Sequence, residues 1–555
     1  MRRPLRPVPP FLLAALALIV GAVPAAQPRV ATTGPAPPDW ARGVVRGDSG
    51  PLQGVREGDV LALKGIPYAA PPVGPRRWQP PAPVEPWTTP HDATRFGPAC
   101  PQALAELMLD DIGPTSEDCL TLNVWTAARR PDERRAVMVW IHGGAHLQGA
   151  ASQRPYEGTA LAARGVVVVS LNYRLGVFGF FAHPALSRES GRDASGNQGL
   201  RDIVAALQWV RRNAAAVGGD PQRVTVFGES SGAGAINALL TSPLAAGLFH
   251  RAILQSGSVL GPMQHLRETW YLLPSAESIG TSVQGALGVP GAPTAEALAA
   301  MRARDTAAVL AAATPQKPFS LGGHRYAPVV DGDVLPEEPA AAIDAGRVAR
   351  VPLVAGANED EGTVFLGLFG PTTPLSYAQL ATFAYGSRAQ DVLRLFPAST
   401  NDEARLALAR SLGIAAFVAP ARRLAAGVSR HGVPAYLYHF TRRRPGEAGQ
   451  RLGAFHGSEI PYAFGTLVAR DLPGLGHLGL DEADQRLSDV MMRYWVGFAE
   501  GGVPAADGLP GWPRLDPAAP RAIEFGQEVS TRPAPHAEAC DVFDAAWAEW
   551  RGRRQ

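Results

Sequence analysis

The chain predicts an α/β fold: a mostly parallel central sheet covered on both faces by helices. Three observations carry that expectation. Short apolar runs, such as 136–141 and 166–171, have the composition of strands buried on both faces. Other stretches place apolar residues at helical spacing. The two kinds alternate along most of the chain without an internal repeat, which favours one large layered domain.

The elements follow in order. Residues 1–26 read as a secretory signal: Arg2, Arg3 and Arg6 precede an apolar run over 11–23, and the small residues Ala25 and Ala26 follow. That run falls short of the roughly 20 residues that span a bilayer. Cleavage is therefore expected rather than anchorage, and no other segment is expected to span. Residues 27–40, rich in Pro, Ala and Thr, read as a linker, and 41–550 as a single catalytic domain. Val44-Val45, a Gly-rich turn and 60–63 predict an opening hairpin. The strand at 136–141 runs into His142-Gly143-Gly144. Leu200, Ile203, Leu207 and Val210 mark a helix stopped by Gly218-Gly219, and 224–227 is strand again. Runs at 252–254, 351–355 and 435–440 continue the series. Leu487, Met491, Tyr494 and Phe498 mark a late helix closed by Gly501-Gly502.

Composition narrows the partners. Hydrophobic residues make up 46% and charged residues 18% of 555, enough for a large core and without a disorder signature. The 52 basic and 50 acidic residues leave a net charge of +2, which argues against a nucleic-acid or membrane-surface protein. Cys100, Cys119 and Cys540 lack CxxC spacing, so a zinc or redox motif is not expected. An exported chain allows a disulfide, and Cys100–Cys119 closes a short loop.

The strongest chemical signal is Val224-Thr-Val-Phe-Gly228-Glu229-Ser230-Ser231-Gly232-Ala233-Gly234. A β-branched strand enters Gly-x-Ser-x-Gly, and small helix-compatible residues leave it. A serine on such a turn projects its hydroxyl from the sheet edge, and glycines flank it because side chains there would clash. The following helix offers free N–H groups where negative charge develops. Upstream, His142-Gly143-Gly144-Ala145-His146 is a loop of small residues after a strand. It can present consecutive N–H groups to an oxyanion, together with that of Ser231.

With these motifs the chain resembles the type-B carboxylesterase/lipase family, which includes cholinesterases and bacterial para-nitrobenzyl esterases. The resemblance runs through Lys64-Gly-Ile-Pro-Tyr-Ala-Ala-Pro-Pro-Val-Gly74, Glu117-Asp-Cys-Leu-Thr-Leu-Asn-Val-Trp125, Trp140-Ile-His-Gly-Gly-Ala145, Asn172-Tyr-Arg-Leu-Gly176, Gly196-Asn-Gln-Gly-Leu200 and Gly218-Gly-Asp-Pro221. It implies an α/β-hydrolase fold with helical insertions over the serine.

It further implies the remaining groups. Asn358-Glu359-Asp360-Glu361-Gly362 is similar to the family's acid loop, whose last acidic residue is used: Glu361. Residue chemistry alone leaves Glu359, Asp360 and Glu361 equivalent. Phe455-His456-Gly457-Ser458-Glu459-Ile460-Pro461-Tyr462 is similar to the histidine loop, and the order Ser, acid, His fits the hydrolase pattern. The implied machinery has Ser230 as nucleophile, His456 as general base, Glu361 as its orienting carboxylate, and Gly144, Ala145 and Ser231 as oxyanion donors. It requires no metal or organic cofactor. The expected partner is a small-molecule ester, not nucleic acid or a membrane, while the oligomeric state is not legible.

The resemblance also pairs Cys100 with Cys119, leaves Cys540 free, and makes Arg77 and Glu117 a structural ion pair. Two departures bear on substrate. His146 stands where the family usually has Phe, and the Cys100–Cys119 loop lacks the tryptophan on which cholinesterases stack choline. Gly47-Asp48-Ser49-Gly50 and Arg46-Gly47-Asp48 echo a protease loop and an adhesion tripeptide, but both read as turn chemistry. The same serine machinery also suits amides, carbamates or lactones. A non-catalytic interaction protein is the contrasting reading, opposed by retention of Ser230, Glu361 and His456.

Overall fold

The strand Arg135–Ile141 shows how this sheet is built. Successive side chains point to opposite faces. Val137, Val139 and Ile141 enter one apolar layer, and Met138 and Trp140 enter the other. The strand therefore reads as a continuous apolar run, not an alternating one.

In the computed structural model, residues 39–103, 111–257, 261, 263–270, 273–313 and 326–552 are described. The expected signal, 1–26, and most of the expected linker lie outside them. The main sheet has eleven strands. They are β1 (Val55–Glu57), β2 (Val60–Pro67), β3 (Thr121–Thr126), β4 (Arg135–Ile141), β5 (Val167–Leu171) and β6 (Gly219–Glu229). After these come β7 (Arg251–Gln255), β8 (Leu353–Asn358), β9 (Ala435–Phe440), β10 (Arg521–Phe525) and β11 (Val529–Pro533). Their spatial order is β11-β10-β9-β8-β7-β6-β4-β5-β3-β2-β1. From β5 through β10 the neighbours run parallel, and antiparallel pairs close both edges.

Helices cover both faces, as crossovers between parallel strands require. On one side lie α1 (Gln198–Asn213), α2 (Ser231–Thr241) and α3 (Ala419–Arg430). Leu200, Ile203, Leu207 and Val210 of α1, Ile236 and Leu239 of α2, and Leu424 and Val428 of α3 pack with Val137, Val139 and Ile141. On the other side α4 (Glu482–Gly501) brings Leu487, Met491, Tyr494, Trp495 and Phe498 against Met138, Trp140, Phe227 and Ile253. A final helix, α5 (Ala537–Gly552), carries the buried, unbridged Cys540. Burial pushes its thiol up to about 12. Further helices, Ala276–Ala286 through Thr306–Ala312 and Pro374–Tyr385 through Asn401–Gly413, are inserted between strands.

Two expectations change. Val44-Val45 and 60–63 do not form one hairpin. Val44–Arg46 pairs with Pro51–Gln53 in a small separate sheet, whereas β2 pairs with β1. Each run has a turn of its own, and Gly47 and Gly50 close the first by mutual backbone bonds. Second, the helical stretch Asn401–Arg430 is long and apolar enough to span a bilayer by composition. It is 67% buried over its apolar window, so its hydrophobicity faces the protein interior.

Cys100 and Cys119 are disulfide-bonded, with Cα atoms 5.0 Å apart. Close by in sequence, Arg77 holds Glu117 through two bonds, Nε to Oε2 at 2.8 Å and Nη2 to Oε1 at 2.6 Å. The remaining Nη1 donates to the carbonyls of Arg302 and Arg304. The ion pair thus ties the first inserted helices to the body, and bidentate geometry suits a buried pair.

Candidate active site

Register assembles the site. Ile141 of β4 lies opposite Gly228 of β6, so the glycine loop after β4 and the serine after β6 emerge side by side. Gln255 of β7 pairs with Glu229, and Gly356 of β8 with Gln255. The carboxyl ends of four neighbouring strands therefore converge on one edge, where open α/β sheets place their ligands.

Ser230 sits between β6 and α2 at φ 55°, ψ −125°, a conformation that a non-glycine residue holds only under constraint. Its N–H donates to Gln255 O at 2.9 Å, and its carbonyl accepts from Gly234 N at 2.9 Å. The flanking glycines are steric necessities. A Cβ on Gly232 would stand 2.0 Å from Ile141 O, and one on Gly228 would stand 2.6 Å from it.

The glycine loop closes over the serine. A Cβ on Gly143 would lie 3.0 Å from Ser230 Cβ and 2.7 Å from Glu229 Oε2. Gly144, Ala145 and His146 all have positive φ, a backbone form that can bring successive N–H groups to one side. Among the described hydrogen bonds the N–H groups of Gly144 and Ala145 have no partner, while His146 N donates to Ser231 Oγ at 3.1 Å. The N–H of Ser231 opens α2, where helix geometry leaves it unbonded. His142 stacks on Tyr173 at 4.6 Å and is held down to about 4 by burial, so it is neutral and structural. His146 packs on Phe180, 5.0 Å between centroids.

The acid loop after β8 gives its three acidic residues different directions. Glu359 turns to His439 and His536. Asp360 binds Arg443 and Ala454 N. Glu361, fully buried, accepts from Asn358 N at 2.7 Å through Oε1 and meets His456 Nδ1 at 2.6 Å through Oε2. Of the three acidic residues, Glu361 is the one whose side chain meets His456.

On the far side of the ring, His456 Nε2 lies 3.1 Å from Glu229 Oε1, out of line for a hydrogen bond. The expected imidazole bridge between alcohol and carboxylate is half formed: Nδ1 has its carboxylate, and the described contact of Nε2 is with Glu229, not Ser230. Catalytic hydrogen bonds in ligand-free sites are often long and tighten when substrate arrives. Phe417 and Phe365 cover the ring at 4.4 and 5.1 Å. Phe417 belongs to a π-helical turn, Ile414–Val418, a distortion that often marks functional sites.

Sequence reasoning missed the further carboxylates here. Glu229 is the variable residue of Gly-x-Ser-x-Gly, and Glu459 lies three residues beyond His456; both are buried. Glu459 accepts from Gln255 at 3.1 Å and Asn358 at 2.6 Å, and Asn358 also donates to Phe455 O at 2.8 Å. Burial pushes Glu229 up to about 8, against the pull of His456, and Glu459 is also raised, by burial and by the Glu361 carboxylate. For His456, burial disfavours the cation, but Glu229 and Glu361 outweigh it and hold the ring up at about 9.

A fold of this topology, a mostly parallel sheet covered by helices on both faces, is the α/β-hydrolase fold. Comparison with known proteins narrows it. Residues 38–543 match the carboxylesterase family. Fumonisin B1 esterase of Sphingopyxis macrogoltabida is 38% identical over 87% of this chain and 86% of its own. Para-nitrobenzyl esterase of Bacillus subtilis (strain 168) is 36% identical over 89% and 97%, and acetylcholinesterase of Bungarus fasciatus 34% over 90% and 85%. The chain belongs to the carboxylesterase family and is a carboxylic ester hydrolase.

Proposed function

We propose that the protein is a serine carboxylesterase that hydrolyses small-molecule esters through an acyl-enzyme on Ser230. The observation that carries this reading is the 2.6 Å contact of Glu361 with His456 Nδ1, which engages that nitrogen and leaves Nε2 as the one to serve as base. As the Ser230 hydroxyl attacks the ester carbonyl, its proton passes to His456 Nε2. The oxyanion is received by the N–H groups of Gly144, Ala145 and Ser231. The C–O bond then breaks, and the alcohol leaves with the proton from His456. Water, deprotonated by the same ring, cleaves the acyl-enzyme and returns Ser230 with a free carboxylic acid.

Glu229 bears on the proton inventory of this cycle. When it carries a proton, one of the carboxylate charges that raise His456 is removed, which weakens the hold of the ring on its own proton. A protonated His456 is blocked as a base.

Residues 1–26 act in this reading as a cleaved signal and 41–550 as one catalytic domain. The family match over 38–543 supports the extent of the domain, and the basic-then-apolar leader and the Cys100–Cys119 bridge support export to an oxidising compartment. Labelling the mature protein with a fluorophosphonate tests the nucleophile. The adduct is expected on the peptide bearing Ser230, and a folded but unlabelled protein would overturn the reading. A panel of esters of graded acyl length, with fumonisin B1 included because one relative is named for it, defines the substrate range.

A further inference from the structure

We propose that Glu359, His439 and His536 bind a divalent transition ion of the zinc type, which pins the C-terminal helix to the carboxyl edge of the sheet. The three residues come from three separate pieces of chain. Glu359 follows β8, His439 is the penultimate residue of β9, and His536 immediately precedes α5. One ligand atom from each lies within 4.8 Å of the other two. Both imidazoles offer Nε2 toward the same carboxylate oxygen, Glu359 Oε2, His536 at 2.9 Å and His439 at 3.0 Å. Donor atoms around a tetrahedral zinc stand about 3.4 Å apart, so small side-chain movements suffice to close the set.

One further observation points to a ligand rather than to a plain acid–imidazole cluster, and a second describes the backbone beside it. His439 is only 8% exposed, yet its Nε2 has no hydrogen-bond partner, because the Glu359 oxygen lies out of line. A buried nitrogen left in that state is costly unless something else satisfies it. His536 is a non-glycine residue at φ 52°, while its carbonyl accepts the Cys540 N–H that begins α5. The backbone is strained at the position whose ring faces the cluster.

Two imidazoles and one carboxylate suit zinc and its neighbours rather than calcium or magnesium. The side chains of Glu359 and His536, 33% and 28% exposed, leave a path for the ion and for a water ligand. The three donors are distant in sequence, so binding contributes to folding stability. No step of ester hydrolysis passes through this ion.

The test uses tag-free, chelator-treated mature enzyme, titrated with Zn²⁺ and separately with Co²⁺. The expected results are one equivalent retained after gel filtration, a visible Co²⁺ spectrum, and a Tm about 2–3 °C higher at a hundredfold excess of zinc over Kd. His439→Gln and His536→Gln should each lose the bound equivalent. His477→Gln, which removes an exposed imidazole paired with Asp471, should keep it. Circular dichroism separates lost binding from lost folding, and Glu359→Gln supplies a third independent variant. Wild-type enzyme that retains no ion, or folded His439 and His536 variants that retain it as well as wild type, would overturn the proposal.

Discussion

His456 stands between two buried glutamates that treat it differently. Glu361 meets Nδ1 at 2.6 Å, and its other oxygen is committed to a backbone N–H. Glu229 approaches Nε2 at 3.1 Å, out of line, with that oxygen lacking a hydrogen bond. The first has a geometry that fixes a ring. The second is pushed up to about 8 by burial and takes a proton instead. The lesson is that proximity to an imidazole does not define a carboxylate's task; its remaining hydrogen bonds do.

Removal of the nucleophile that His456 serves as base in the proposed cycle sets the upper bound. Ser230→Ala should lower kcat by roughly 10⁴-fold or more on a chromogenic ester, with an unchanged circular dichroism spectrum. Activity near wild type would remove the nucleophile and make the comparison pointless.

Glu361→Gln should come next. An amide in place of the carboxylate both favours the wrong tautomer and removes the charge opposite the imidazolium, costing roughly 10³–10⁴-fold in kcat with little change in KM. A loss below tenfold would mean that Glu361 does not orient the ring.

The pH profile addresses Glu229. The inactive form carries a proton on His456, which against the effect of burial Glu229 and Glu361 hold up at about 9, so it accumulates as pH falls through that raised range. The acid limb of kcat/KM should therefore lie above the ordinary imidazole value of about 6.5. Glu229→Gln removes a carboxylate that raises His456, so the limb should move downward, toward more acidic pH. An unmoved limb would break the distinction between the two glutamates.

The smallest effect on chemistry is expected from Cys100→Ser/Cys119→Ser. Loss of this cross-link should cost about 3 kcal/mol of stability, read as a lower Tm, while kcat on a small ester stays within a few-fold. A collapse of kcat at temperatures where the variant is folded would show that the loop shapes the site directly.

These contrasts also mark what the sequence could convey. The elbow was legible because its constraint is local: any side chain at Gly228 or Gly232 would run into the carbonyl oxygen of Ile141, and the pattern follows directly. Buried parallel strands such as β4 announced themselves as unbroken apolar runs. Glu359, Asp360 and Glu361 could not be told apart from residue chemistry, because their difference lies in His439, Arg443 and His456, each some 80 or more positions away along the chain. Resemblance supplied that choice. The pairing of Val44–Arg46 and β2 with separate partners was hidden for a related reason, since either run carries enough apolar residues to pair with the other. Glu229 was in plain view but occupied a motif position that tolerates any residue.

The convergence of the glycine loop, Ser230 and Glu361 on the ends of β4, β6 and β8, while the inserted helices lie between other elements, has a practical corollary for the proposed function. In the proposed reading, the groups that do the chemistry sit on strand ends, apart in sequence from the inserted helices. Libraries diversified over Ala276–Ala286 or Pro374–Tyr385 should yield catalysts with altered preference at a high rate of retained turnover. Equal diversification of the strand termini should yield mostly dead protein.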